Sequence, residues 1–176
     1  GIYQIEPPEG GPMGDAMLDF PLEVPPGRRG MEPDLAVRYN SSGGNGWLGV
    51  GWDLRVPSIE ILTLFGVPRY DGAERYLLDG DQLAATSDPA VFVRRSEGTF
   101  ERIVRKGSNP RDYWWEVTDK DGVRSIYGRS AASRLWDRCR TGNVFRWHLE
   151  QVIDPHGNTV DYSYTTDQSD GCSGGE

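Results

Sequence analysis

The stretch 143–164, "NVFRWHLEQVIDPHGNTVDYSY", decides the fold expected for this chain. On both sides of its "DPHGN" corner, apolar and β-branched residues alternate with polar ones, which is typical of half-buried strands. Within the corner, an aspartate can cap nearby amides, a proline fixes one turn torsion and a glycine accepts a positive φ. The stretch therefore predicts a β-hairpin. The residues assigned to its turn are Asp154, Pro155, Gly157 and Asn158.

The stretch 115–128, "WEVTDKDGVRSIYG", repeats this arrangement with different middle residues. Since only the first and last corner positions are shared, Asp119 and Gly122 are expected to hold the turn. His156, in the middle of the other corner, is then interpreted as an exposed turn residue. No second histidine or cysteine accompanies it in sequence, so a catalytic or ligand role has no local support. His148 alternates with apolar neighbours and is predicted to be a strand-face residue.

Further alternating runs predict strands along most of the chain. They occupy 17–24, where Pro21 indicates a sheet edge or bulge, and 34–40. The run 52–61 stays extended across a proline, and two further hairpins are predicted at 75–86 and 91–104. The predicted fold is all-β: antiparallel hairpins forming a sheet or a partial shell or sandwich, with little or no helix.

Composition agrees with many turns and short elements. The 176 residues include 23 Gly and 12 Pro, which helix interiors reject. The only helical candidate, 130–138, lacks the length and the flanking cap and stop residues of a secure helix. The length predicts one β domain at 17–165, after an N-terminal arm or linker at 1–16. The tail 166–176 is too polar to bury a core and is expected to be disordered.

Charge and cysteine usage exclude several classes of partner. The net charge of −8 makes long-range attraction to nucleic acid or anionic lipid unfavourable. No apolar stretch approaches the roughly 18 residues of a membrane helix, so no membrane insertion is predicted. Cys139 and Cys172 can form at most one bridge and lack zinc-ligand spacing, and no metal or cofactor site is predicted. Since only two of the 19 basic residues are lysines, arginine stacking on aromatic rings is expected.

The glycine-rich segment "GNGWLG" (44–49) matches the GxGxxG dinucleotide fingerprint, but its context does not. That fingerprint requires a helix after the third glycine, whereas the following residues are β-rich and interrupted by Pro57. The segment is interpreted as a loop between strands whose glycines let two tryptophans fold back onto the sheet. The residues assigned to this loop are Asn40, Gly44, Gly46, Trp47, Gly49, Gly51 and Trp52.

No catalytic motif supports an enzyme. The sequence contains no GxSxG elbow, phosphate-binding P-loop or HExxH zinc motif. The six Trp and eight Tyr leave open a secreted carbohydrate-binding β module, although most tryptophans lie in apolar runs typical of a core. A third class, an enzyme fragment, would require a pocket in which acids converge on His148 or His156.

Two segments carry a family resemblance: "LAVRYNS" (35–41) and "GNGWLGVGWDL" (44–54). With the segments around them, from about 18 to 164, they resemble the N-terminal domain shared by SpvB-type virulence proteins and the B components of bacterial insecticidal toxin complexes. The last hairpin is similar to a single Rhs or YD repeat. SpvB-type proteins carry ADP-ribosyltransferase activity in a separate C-terminal domain, and the Glu-x-Glu pair of such transferases is absent from these 176 residues.

This resemblance implies a non-catalytic structural and interaction module at the head of a long secreted bacterial toxin polypeptide. Its implied partners are the remainder of the same polypeptide, with propeller-like and Rhs-type repeats, and the toxin-complex subunits. Hairpin sheets also leave edge strands with unpaired amides and carbonyls. The isolated chain is therefore expected to dimerise through edge pairing or to expose an apolar face.

Overall fold

The computed structural model describes residues 9–10, 16–22, 31, 33, 35–41, 45–46, 48–96, 98, 100–137, 139–140 and 142–165. The predicted tail at 166–176 and most of the predicted arm lie outside these residues. The chain divides into two compact units, Gly1–Val56 and Pro57–Glu176. Every described strand pairing in both units is antiparallel, which confirms the predicted all-β class. In this part of the chain, no helix is long and apolar enough to cross a membrane.

The described residues of the first unit form a six-stranded sheet. The strands predicted at 17–24 and 34–40 pair with each other, and Phe20 lies opposite Val37. Pro21 is the last residue of its strand, where a missing amide hydrogen removes little pairing. The strands are β1 (Glu9–Gly10), β2 (Ala16–Pro21), β3 (Ala36–Asn40), β4 (Asn45–Gly46), β5 (Gly49–Val50) and β6 (Trp52–Arg55), in the sheet order β1-β2-β3-β6-β5-β4.

Within its described residues, the second unit contains ten strands and one 3-10 turn, Ala131–Ser133. The four hairpins expected from the sequence are all present, as the pairs β8–β9, β10–β11, β12–β13 and β15–β16 defined next. The strands are β7 (Ser58–Ile61), β8 (Tyr76–Leu78), β9 (Asp81–Ala85), β10 (Val91–Arg94), β11 (Arg102–Lys106), β12 (Trp114–Thr118), β13 (Arg124–Tyr127), β14 (Arg134–Trp136), β15 (Val144–Ile153) and β16 (Thr159–Asp161).

Strand β15 closes this sheet into a barrel. Its residues 146–148 pair with β7 and its residues 149–153 pair with β13, so the path from β7 through β13 returns to its start. Strands β14 and β16 pair with β15 outside this ring. The sequence predicted hairpins and a sheet or partial shell, but closure depends on pairing between strands almost 90 residues apart.

Aromatic side chains fill the barrel. Tyr76, Trp115 and Trp147 are fully buried and pack edge to face, with ring centroids 4.7 Å apart for Tyr76–Trp115 and 5.8 Å for Trp115–Trp147. Such pairs add roughly 0.5–1.5 kcal/mol each beyond the burial of their area. The interior is therefore a packed core. Fully buried aliphatic side chains complete it: Ile59, Leu78, Ile103 and Ile126.

Two arginines satisfy polar groups at the margins of this core. The Arg105 guanidinium stacks over the Tyr113 ring at 4.3 Å and donates hydrogen bonds to the Gly72 carbonyl and the Tyr76 hydroxyl. Arg94 is held between two carboxylates, at 2.8 Å from Asp81 and 2.6 Å from Glu101. Arginine stacking on aromatic rings, expected from composition, occurs at Arg105.

Gly128 is constrained by the core. Its φ is +65°, and a Cβ built there would overlap the Trp147 ring.

We predict that Gly128→Ala lowers the free energy of unfolding by roughly 2–5 kcal/mol, the sum of left-handed strain and overpacking. Gly157→Ala is the matched control, since Gly157 has φ +82° and nothing within 4 Å of a Cβ. It should lose only the strain, about 1–2 kcal/mol. Urea denaturation followed by tryptophan fluorescence compares them, and equal losses would contradict this account.

Buried tyrosines should make the fold sensitive to alkali. Burial raises the pKa of Tyr76 to about 12, against the opposing effect of Arg105, and burial also raises the pKa of Tyr127 and Tyr164. In the unfolded chain these hydroxyls ionise near pH 10, so their contribution to stability is complete below about pH 10 and declines as the pH rises toward 12. We predict that the free energy of unfolding falls over this interval. Tyr76→Phe should flatten the decline in urea titrations, and an unchanged slope would disprove the role of Tyr76.

Candidate functional site

The "DPHGN" corner is held by its aspartate. Asp154 Oδ1 accepts the amide hydrogens of His156 at 2.9 Å and Asn158 at 2.8 Å, and Oδ2 accepts the Asn158 side-chain amide at 2.6 Å. These bonds lower the pKa of the Asp154 carboxyl, and the bond from the Asn158 side chain has the largest effect. Gly157 has φ +82° and its amide donates to the Asp154 carbonyl, while Pro155 is exposed between them. The Asp154 carboxylate is therefore engaged within its own turn.

The second corner has the same geometry. Asp119 Oδ1 accepts the amide hydrogens of Asp121 at 2.8 Å and Val123 at 3.0 Å. Gly122 has φ +79°, and its amide donates to the Asp119 carbonyl at 3.2 Å. The two hairpins thus use one turn chemistry, in which the carboxylate binds amides two and four residues later.

The two histidines lie in different environments. The His156 residue is exposed at its corner. His148 lies on β15, is 6% exposed, and stacks on the Tyr164 ring with centroids 5.0 Å apart. Across the residues that the structure describes, no group of three or more His, Cys, Asp or Glu side chains could hold a metal ion.

The glycine-rich segment folds as the hairpin β4–β5, which continues directly into β6. Gly46 pairs with Gly49, and Gly51 has φ +78°. A Cβ on Gly51 would lie 2.7 Å from the Tyr39 ring and 3.0 Å from the Asn40 carbonyl, so the backbone approaches β3 more closely than any side chain would allow. The Asn40 amide in turn donates to the Gly51 carbonyl at 2.8 Å. The β5–β6 continuation occupies the place where a dinucleotide site would need a helix.

Trp52 packs on this sheet. Its ring centroid lies 5.0 Å from that of Tyr39 and 5.9 Å from that of Phe20, and the residue is 36% exposed. The other two residues predicted for this loop, Gly44 and Trp47, lie outside the described residues.

A cleft of about 1110 Å³ in the second unit was missed by the sequence reasoning. Its walls come from loops near residues 70, 110 and 140, so no local motif could signal it. Its charged and polar lining consists of Arg69, Tyr70, Asn109, Arg111, Asp137, Arg140 and Asn143. A second cavity of about 610 Å³ shares Val67, Pro68 and Arg69 with it.

The turn at one wall of this cleft contains a cysteine. Cys139 is disulfide-bonded, and its amide donates to Asp137 Oδ1 at 3.0 Å. Cys172, the other cysteine of the chain, lies outside the described residues.

Comparison with known proteins identifies relatives of nearly the whole chain. The family model described as "SpvB: Salmonella virulence plasmid 65kDa B protein" matches residues 10–175. The mono(ADP-ribosyl)transferase SpvB of Salmonella typhimurium is 31% identical over 187 aligned residues, which cover 92% of this chain and 32% of that protein. The chain thus spans about a third of the length of the curated relatives it matches.

Solved structures give the same result. The N-terminal domain of effector protein SpvB from Salmonella typhimurium superposes with a TM-score of 0.67 at 31% identity, covering 83% of this chain and 53% of that one. A chain of the Photorhabdus luminescens Tc holotoxin pore gives a TM-score of 0.75 at 26% identity, covering 98% of this chain and 10% of that one. The TcdB2-TccC3 crystal structure matches 93% of this chain over 9% of its own length, with a TM-score of 0.70. The chain belongs to the SpvB family.

Proposed function

We propose that this chain is a non-catalytic structural and interaction module of a secreted bacterial toxin-delivery polypeptide, where it helps to build the β-structure that encloses or presents a toxic effector. The observation that carries this proposal is the match of 98% of the chain to a tenth of a much longer Tc holotoxin chain. A module of that size contributes a wall or a contact within a larger assembly. Its partners are then the rest of such a polypeptide and the other toxin-complex subunits.

The chemistry of the described residues supports a role without catalysis. Side chains fill the barrel interior, and the two corner aspartates are engaged by amides of their own turns. The match to SpvB includes the structure of its N-terminal domain, and covers about a third of the transferase. We assign ADP-ribosyl transfer to the part of SpvB that this chain does not match.

The edges of the barrel support a role inside a larger β-structure. Among the described strands, β14 and β16 each pair with β15 alone, which leaves one side of each for another strand. Dimerisation of the isolated chain through such edges stays a prediction.

A carbohydrate-binding role has weaker support. Among the described tryptophans only Trp52 reaches 36% exposure, and its ring is partly covered by Phe20 and Tyr39. Sugar binding that is abolished by Trp52→Ala would favour that role over the structural one.

We propose that the aspartates of the two corners set the register of their hairpins. We predict that Asp154→Ala lowers the thermal unfolding midpoint, because two backbone amides and the Asn158 side chain lose their acceptor. His156→Ala, a change at an exposed position of the same corner, should leave the midpoint unchanged. Scanning calorimetry of both variants decides the matter, and a larger loss for His156→Ala would refute the assignment.

Two measurements test the proposed function. The purified chain, incubated with NAD and protein acceptors, should neither transfer ADP-ribose nor hydrolyse NAD, and turnover of either kind would overturn the non-catalytic role. In the second measurement, this chain replaces the aligned region of TcdB2-TccC3. The chimaera should assemble and protect its enclosed polypeptide from added protease, whereas the Gly128→Ala version should assemble poorly. Assembly that fails although this chain is folded within the chimaera would contradict the structural role.

A further inference from the structure

Three arginines that line this cleft have no partner among the residues that the structure describes. Arg69 comes from the loop between β7 and β8, Arg111 from the loop between β11 and β12, and Arg140 from the loop between β14 and β15. All three are exposed, and in the described part of the chain no hydrogen bond, ion pair or ring contact engages their guanidinium groups. Other arginines of this unit do form ion pairs: Arg94, Arg124 and Arg146.

The carboxylates around the cleft accept hydrogen bonds from backbone amides of their own loops. Asp137 accepts the Cys139 amide at 3.0 Å. In the neighbouring loop, Glu74 accepts the amides of Asp71 and Gly72 at 3.1 and 3.0 Å. The cleft lining contains three arginines and one aspartate, in a chain of net charge −8. A concentrated positive lining on an acidic protein selects a negatively charged ligand.

The arginines project from loops that are held in place. The Arg111 side chain lies across Gly142, where a Cβ would meet its Cδ at 3.0 Å and its Cγ at 3.1 Å. Asp112 accepts the amides of Ser108 and Asn109 at 3.2 and 2.9 Å, which fixes that loop. In the opposite turn, the Asp137 amide donates to the Asn143 carbonyl at 3.0 Å. Little ordering of these backbones would accompany binding.

An exposed apolar loop adjoins the cleft. Leu64, Phe65 and Val67 are 72%, 74% and 91% exposed, and Val67 lines both the cleft and the smaller cavity beside it. The Arg75 guanidinium lies 5.4 Å from the centre of the Phe65 ring and supports one face of it. Exposed aromatic and aliphatic side chains next to arginines are typical of the central part of a protein–protein interface.

We propose that this surface, defined by Arg69, Arg111, Arg140, Leu64, Phe65 and Val67, docks an acidic segment of a partner protein. The segment carries at least two carboxylates for the arginine forks and an apolar side chain for the loop. The proposal rests on the function proposed above, of which it specifies one contact. A flat anionic bilayer fits poorly, because the arginines line a concave cleft. A small anion would leave the guanidinium groups in water and the apolar loop uncovered.

Peptide display tests this proposal without a known partner. A random 12-residue library is selected on the immobilised full chain, and the recovered peptides are assayed by fluorescence anisotropy. We expect them to combine two or more Asp or Glu residues with an adjacent Phe, Leu, Ile or Trp. Replacing their acids by Asn and Gln should weaken binding at least tenfold. The proposal would be overturned if no peptides were recovered, or if the recovered peptides were not enriched in acidic residues. Either outcome would leave the structural role tested by the chimaera unaffected.

Matched variants locate the site. The triple change R69Q/R111Q/R140Q should weaken peptide binding at least tenfold, whereas R95Q/R102Q/R129Q, which removes the same charge from exposed positions outside the cleft, should change it less than threefold. Phe65→Ser should also weaken binding. If both triple variants lost peptide binding equally, net charge alone would attract the peptides, and the proposed site would be wrong. Competition by millimolar phosphate, or tighter binding to vesicles with 30% phosphatidylserine than to any peptide, would also overturn the proposal.

Discussion

Strand β15 is the element on which the second unit depends. It pairs with β7 and β14 along its first half and with β13 and β16 along its second half. Without it, β7 and β13 would be open sheet edges with unpaired amides and carbonyls. The same strand supplies Trp147, whose ring packs on Trp115 and whose indole nitrogen donates to the Tyr113 carbonyl at 2.7 Å. Backbone closure and aromatic packing therefore coincide in one strand, and the structure gives Gly128 no room for a side chain beside it.

This construction separates residues that hold the fold from residues available to partners. Acidic groups at the corners and loops accept backbone amides, and Arg94 and Arg105 are used at the margins of the core. The described surface also carries side chains without such a role, among them the arginine cleft and the apolar loop at Leu64, Phe65 and Val67. Because side chains fill the interior of the closed barrel, the function proposed above would use its edges and outer loops for contacts with partners.

The similarity to SpvB and to the Tc toxins shows that the same fold occurs in polypeptides of very different length. This chain corresponds to about a third of SpvB and about a tenth of a Tc holotoxin chain. The aromatic core of the barrel is formed by side chains of the second unit alone, which is compatible with either setting.

The sequence by itself determined the four hairpins, most of the strands and the all-β class, because alternation and Asp-x-x-Gly turns are local properties. It did not predict β14, which lies within the helical candidate 130–138. It also predicted a glycine-rich loop that contains Gly51 and Trp52, and the β-rich run after Gly49 argued against a dinucleotide-binding helix. The structure forms the hairpin β4–β5 in this segment. Only the tertiary structure decided that β15 closes a barrel, since antiparallel pairing between distant strands leaves no mark in either strand alone. The same holds for the cleft. Arg69, Arg111 and Arg140 are unremarkable loop residues until folding brings their three loops to one place.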